Sequence, residues 1–166
     1  IRDRWKESKG EDKHRRAIYT YLKRTSPYPS FISFDASSRE ICLVRRLPSN
    51  TPLQALVTMN DPVYTEAAFH LAKSNKAESI ESSIKKMYKS AVYKEIEPKI
   101  LNNLISLYRI AQQEFEEDNL KLDNFFDLGN KIDIKLASLA IVANAIMNLD
   151  EFLTCLLYTS PSPRDG

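Results

Sequence analysis

Seven side chains able to bind or move charge fall between positions 35 and 54: Asp35, Arg39, Glu40, Arg45, Arg46, Asn50 and Gln54. If residues 40–46, EICLVRR, form a strand, Glu40, Cys42, Val44 and Arg46 face one way and Ile41, Leu43 and Arg45 the other, because strand side chains alternate. The two arginines then serve opposite sides. One can pair with Asp35 or Glu40, and the other can hold a carboxylate or sulfate bidentately through its guanidinium fork. Three chemistries fit this set. An Arg–carboxylate network can pin the strand onto neighbouring helices, which is the reading adopted. The same groups suit an anion or sugar-acid subsite. Asp35 and Glu40 also match the paired carboxylates that divide acid and base roles in glycoside hydrolysis, although their spacing in sequence sets no distance between them. These residues name no reaction, so whether the chain is an enzyme stays open.

Other reactive groups point to less. Cys42 lacks a neighbouring histidine to lower its pKa and reads as a buried structural cysteine. Neither C-x-x-C nor C-x-x-C-H occurs around Cys42 and Cys155, and His14 and His70 sit in no H-E-x-x-H run, so no metal site and no haem attachment is expected in this segment. With only 3 Gly, no G-x-G-x-x-G and no G-x-x-x-x-G-K, phosphate-loop nucleotide binding is not expected.

The elements that must position these residues are mostly helices. Thr51-Pro52-Leu53-Gln54 has the form of a capping box: the Thr51 hydroxyl accepts from the N3 amide, Gln54 returns a bond to the Thr51 amide, and Pro52 takes the first helical position. The helix that follows carries Leu53, Leu56 and Val57 on one side and ends near Asn60, because Asp61 and Pro62 start another as cap and first residue. That second helix runs through Val63, Ala67, Ala68 and Leu71. Ile80, Ile84, Met87, Tyr88 and Ala91 mark a third. Leu101, Leu104, Tyr108, Ala111 and Phe115, three and four apart, mark a fourth starting at Pro98. A fifth, apolar almost all round, spans about Asp133 to Phe152 as a central helix enclosed by the others.

Ahead of these helices, residues 15–24, RRAIYTYLKR, suit either a strand or a short helix, with the strand preferred. Pro27 and Pro29 each hold the preceding residue extended, so an extended segment follows, and residues 40–46 are a second short strand. The fold expected is mainly α, a bundle-like domain of about five helices with a small N-terminal β or extended element.

Charge is uneven along the chain. Residues 1–50 hold 12 Lys+Arg and 6 Asp+Glu, a balance of +6, leaving 12 and 16 for residues 51–166, a balance of −4. A basic front half suits an anionic partner or the acidic half of its own fold. The longest apolar stretch, between Lys135 and Asp150, has 14 residues, short of the roughly 20 a membrane span needs.

Three blocks carry a family resemblance: residues 15–46 with RRAIYTYLKRTSPYPSFISFDASSREICLVRR, residues 50–68 with NTPLQALVTMNDPVYTEAA, and residues 141–154 with IVANAIMNLDEFLT. In this order they resemble the planctomycete cytochrome-c-associated proteins, specifically their C-terminal domain of unknown function fifteen fifty-three. The resemblance spans 1–154, with 74–132 similar only in being helical. It implies an exported, extracytoplasmic (periplasmic or cell-surface) bacterial protein in which another domain precedes this one, often with an N-terminal c-type cytochrome domain that would carry the haem. It implies no catalytic residue. The chain is then expected to be a structural or binding module packing on that upstream domain. The alternative is part of an extracytoplasmic enzyme acting on polysaccharide or coupled to electron transfer, with the Arg/carboxylate segment lining the site.

Two departures stand out: Ser37 replaces the usual proline after Phe34-Asp35-Ala36, and Leu47-Pro48-Ser49 stands where a basic residue and Thr are common before Asn50. Partners expected are the upstream domains and an anionic or carbohydrate ligand. Tyr19, Tyr21, Tyr28 and Phe31 among basic residues are stacking types, but export argues against nucleic acid and for core packing. The ending CLLYTSPSPRDG, residues 155–166, resembles translated sequencing adapter at the end of a metagenomic contig. A single domain over 1–154, truncated at its N-terminus, is expected ahead of that non-native tail.

Overall fold

The computed structural model describes residues 10, 19, 21, 29–35, 49, 51–118 and 133–153. Among them are seven helices and no strand. These are α1 (Pro29–Ser33), α2 (Pro52–Asn60), α3 (Pro62–Ser74), α4 (Ile80–Val92), α5 (Pro98–Glu117), α6 (Ile134–Met147) and α7 (Asp150–Leu153). The mainly helical fold matches the expectation. The chain forms two compact units, residues 1–57 and 58–166.

The strand expected over 40–46 lies outside the described residues, as does the tail from 155 to 166. Of the strand expected over 15–24 only Tyr19 and Tyr21 are described. Both are exposed, and Tyr19 lies in a 3₁₀ turn, not a strand. The extended segment expected after the two prolines is corrected by α1. Pro29 opens that helix, where its fixed φ suits the first turn and its missing N–H costs nothing.

In the 58–166 unit, helix starts follow local chemistry. Asp61 caps α3 by accepting the Val63 amide at 2.8 Å, with Pro62 at the first helical position. Ser79 caps α4 through the Ser82 amide at 3.1 Å. Asp133 caps α6 through the Lys135 amide at 3.3 Å. α4 ends at Tyr93, which takes a left-handed conformation (φ 60°) and returns its amide to the Lys89 carbonyl at 3.0 Å. Glycine usually holds such a position, since a Cβ crowds the following carbonyl.

The core is organised around α6, which packs against α3, α4 and α5. Nine of its residues are buried, from Ala137 to Met147 on every side, so it is enclosed as its even apolarity predicts. Alanines and Ser138 make up much of its surface, and α3 adds the fully buried Ala68 and Ala72. Small side chains let helix axes approach closely. α5 buries Leu101, Leu104, Tyr108, Ala111 and Phe115, the three-and-four pattern read from its sequence. α4 buries Ile84, Met87 and Tyr88, while Ile80 lies at the surface.

One further expectation needs correction. The single helix from Asp133 to Phe152 is interrupted after Met147. There the Asn148 and Leu149 amides bond the carbonyls three residues back, Ala145 and Ile146, at 3.1 Å each, which tightens and ends the last turn. α7 begins separately at Asp150. α2 keeps the bounds read from the sequence, and its leucines face out: Leu53 is 55% exposed and Leu56 59%, whereas Gln54 and Thr58 are buried. The reason lies in what those two polar side chains bond.

Candidate functional site

Of the polar residues singled out between positions 35 and 54, Asp35 and Gln54 are described, and they meet at the start of α2. The capping box forms as predicted. Gln54 Oε1 accepts the Thr51 amide at 2.9 Å, and Thr51 Oγ1 accepts the Gln54 amide at 3.3 Å. Pro52 occupies the first helical position. Gln54 has a second task. Its Nε2 donates to Asp35 Oδ2 at 3.3 Å and to Ser49 Oγ at 3.1 Å. Ser49 in turn donates to the same Asp35 oxygen from its amide at 3.1 Å and from its hydroxyl.

One carboxylate oxygen therefore gathers three donors, and the α2 cap is fastened to the turn that follows α1. Asp35 sits in that turn with φ 54°, a left-handed conformation aspartate tolerates better than most residues. The position gives the carboxylate its aim. A hydrogen bond to a charged group stabilises by about 1.5–3 kcal/mol, less where water competes, as it does at exposed Asp35.

Of the seven residues singled out, Asp35 and Gln54 are thus brought together. Arg39, Glu40, Arg45, Arg46 and Asn50 lie outside the described residues, as does Cys42. The helix-start residues Thr51, Pro52, Asp61 and Pro62 stand in the places expected. Ser49 escaped the sequence reading as a participant. The signal available was a hydroxyl two residues ahead of the Thr51 cap.

The 58–166 unit holds two further polar contacts that no local pattern marks. Thr58 Oγ1 donates to Asn148 Oδ1, and Asn144 Nδ2 donates to the Thr58 carbonyl at 3.2 Å. Asn148 Nδ2 closes the set by donating to the Asn144 carbonyl at 2.9 Å and to its Oδ1 at 3.1 Å. Each buried donor is matched, so the network adds specificity to the packing without leaving a group for a ligand.

The second contact joins α4 to α7. The Tyr88 hydroxyl donates to Glu151 Oε2 at 2.5 Å. Tyr88 is 2% exposed, and its phenol is pushed up to about 12, first by burial, then by the hydrogen bond to Glu151 and the negative charges of Glu151 and Glu97. A phenol held protonated in this way is a donor and a poor proton carrier near neutral pH. Tyr108 is also raised, by burial and then by the charges of Asp133 and Glu116. At the surface Lys89 and Glu95 pair at 2.6 Å, which raises the lysine and lowers the carboxylate.

Among the described residues no three His, Cys, Asp or Glu side chains converge to hold a metal, and no helix is long and apolar enough to cross a membrane. A family model described as "PSD1: Protein of unknown function (DUF1553)" matches residues 2–108, from the start of the chain into α5. No curated protein matches the chain, and no solved structure does.

Proposed function

We propose, from the premise that this chain belongs to the PSD1 family of proteins of unknown function (DUF1553), that it is a structural or binding module packing on another domain of a longer protein. That protein is an exported bacterial one of the planctomycete cytochrome-c-associated type, lying in the periplasm or at the cell surface. The resemblance of residues 15–46, 50–68 and 141–154 supports the export and the cytochrome association. The same resemblance implies a c-type haem in a preceding domain.

The observation carrying the packing role is the orientation of α2. Its buried side is polar and its exposed side carries Leu53 and Leu56. Its N-terminus is held by the capping box and by Asp35 and Ser49. A held helix that turns leucines to water is built to meet a second apolar surface. The contacts of Asp35 and Gln54 favour fastening α2 over binding a ligand, because both side chains are engaged with each other.

The test introduces Leu53→Lys and Leu56→Lys together into the longer protein and into this chain alone. The isolated chain should keep its stability within about 0.5 kcal/mol, as exposed substitutions do. In the longer protein the segment joining the two domains should become protease-sensitive. Unchanged protease resistance there would overturn the packing role.

A further inference from the structure

α7 is four residues long and none of them is buried, although α6 before it is enclosed. Its helical bonds are those of the Phe152 and Leu153 amides, both accepted by the Leu149 carbonyl, at 3.0 and 3.1 Å. One turn of helix does not stand alone in water, because fixing its residues costs more than so few hydrogen bonds return. Contact with α4 and α6 therefore keeps α7 in place. Leu149 and Phe152 lean on the core, only partly buried. Glu151 adds a directed fastening, since its Oε2 accepts the Tyr88 hydroxyl at 2.5 Å. The two ends of that bond differ in support. Tyr88 stands on the thirteen-residue α4, whose Ile84 and Met87 are fully buried, and is itself 2% exposed. Glu151 stands on an unburied turn, joined to α6 through the tightened bonds at Asn148 and Leu149. Regions with few buried apolar contacts open locally at lower free energy than the whole fold.

We infer that α7 is a strap that lifts from α4 as a unit while the bundle stays folded, and that the Tyr88–Glu151 hydrogen bond is the latch that sets how often it lifts. Lifting removes the acceptor of Tyr88 and opens the phenol to water. The closed strap keeps that donor satisfied. Loss of a bond to a charged acceptor shifts the balance toward the open state roughly 10- to 100-fold. Little surface is exposed on the way, so lifting responds weakly to denaturant.

The experiment follows amide hydrogen exchange by NMR in this chain, comparing Phe152 and Leu153 with the slowest amides of α6. Each rate is divided by that of the same amide in an unfolded chain, so a substituted neighbour does not bias it. The variants are Glu151→Ala, Glu151→Gln, Tyr88→Phe, and Tyr88→Phe combined with Glu151→Ala. Glu151 is not buried, so its substitution leaves the packing intact. Tyr88→Phe keeps the ring that fills the core, and Glu151→Gln keeps an acceptor oxygen without the charge. Circular dichroism confirms folding, and the two positions check each other.

In the wild-type chain Phe152 and Leu153 should exchange at least about tenfold faster than the slowest α6 amides. Urea at up to about 1 M should quicken those α6 amides and leave Phe152 and Leu153 nearly unchanged. Glu151→Ala and Tyr88→Phe should each quicken Phe152 and Leu153 roughly 10- to 100-fold, and Glu151→Gln less. The double variant should go no further than the larger single effect, as one shared contact requires. If Phe152 and Leu153 exchange at the α6 rate with the same urea dependence, α7 opens only with the bundle and the strap is overturned. Variants that leave their exchange unchanged would overturn the latch. So would a double variant whose effect is the product of the two single ones, since Tyr88 and Glu151 would then act through separate contacts.

Discussion

Tyr88 makes the stability of this chain depend on pH in a range where most proteins reveal little. An unfolded tyrosine ionises near 10.0, and the folded Tyr88 near about 12. Burial and the neighbouring Glu151 carboxylate oppose the phenolate in the folded state only. Between those two values the unfolded chain loses its proton first, so the folded state is progressively disfavoured as pH rises. The stabilising contribution is complete below pH 10 and lost on approach to about 12. A difference of about two units corresponds to about 2.7 kcal/mol at most, of which about 2 kcal/mol is gone by about pH 11.5.

The assay is urea unfolding of the wild-type chain and Tyr88→Phe at about pH 8 and pH 11.5. At the lower pH the variant should be less stable by about 1.5–3 kcal/mol, since it lacks the hydroxyl that donates to Glu151. At the higher pH the gap should close by about 2 kcal/mol. The other seven of the 8 tyrosines are common to both proteins and cancel in the comparison. An equal gap at both pH values would show that Tyr88 does not hold its proton more tightly in the fold.

Three further outcomes are expected. Asn144→Ala should cost about 1–3 kcal/mol by chemical denaturation, because it removes the buried amide that donates to the Thr58 carbonyl and an acceptor of Asn148; a loss under about 0.5 kcal/mol would contradict the network. Asp35→Ala should lower the thermal midpoint more than Asp35→Asn, which keeps an acceptor for Ser49 and Gln54 and tolerates φ 54°; the reverse order would discount both reasons. Tyr93 is 87% exposed in a left-handed conformation, so Tyr93→Gly should leave stability unchanged or raise it by up to about 1 kcal/mol, while Tyr93→Val should lower it. Calorimetry of the three proteins decides, and a destabilised glycine variant would refute the strain.

Where α2 and α3 begin was legible because a cap is settled within four residues. Thr51, Pro52 and Gln54 contain every group their box needs, and Asp61 reaches the Val63 amide without help from elsewhere. The buried stripe of α5 was legible for a similar reason, since a strong period of apolar residues leaves one way to face the core. Which side of α2 meets water was not legible, because polar side chains with distant partners decide it. Gln54 turns inward for Asp35, nineteen positions away, and Thr58 for Asn148, ninety away. The break at Asn148 has the same origin, a side chain drawn to Thr58 across ninety positions.

The sequence by itself thus determined the helical class, the starts of α2, α3, α5 and α6, and the stripe that α5 buries, all of which depend on neighbours within a turn or two. It also placed the chain in its family through blocks of residues that need no coordinates to be compared. Only the tertiary structure decided which side of α2 meets water, where the last long helix stops and which polar groups share a proton. Those outcomes depend on satisfying buried donors and acceptors, and a buried polar group must find a partner wherever along the chain one is available.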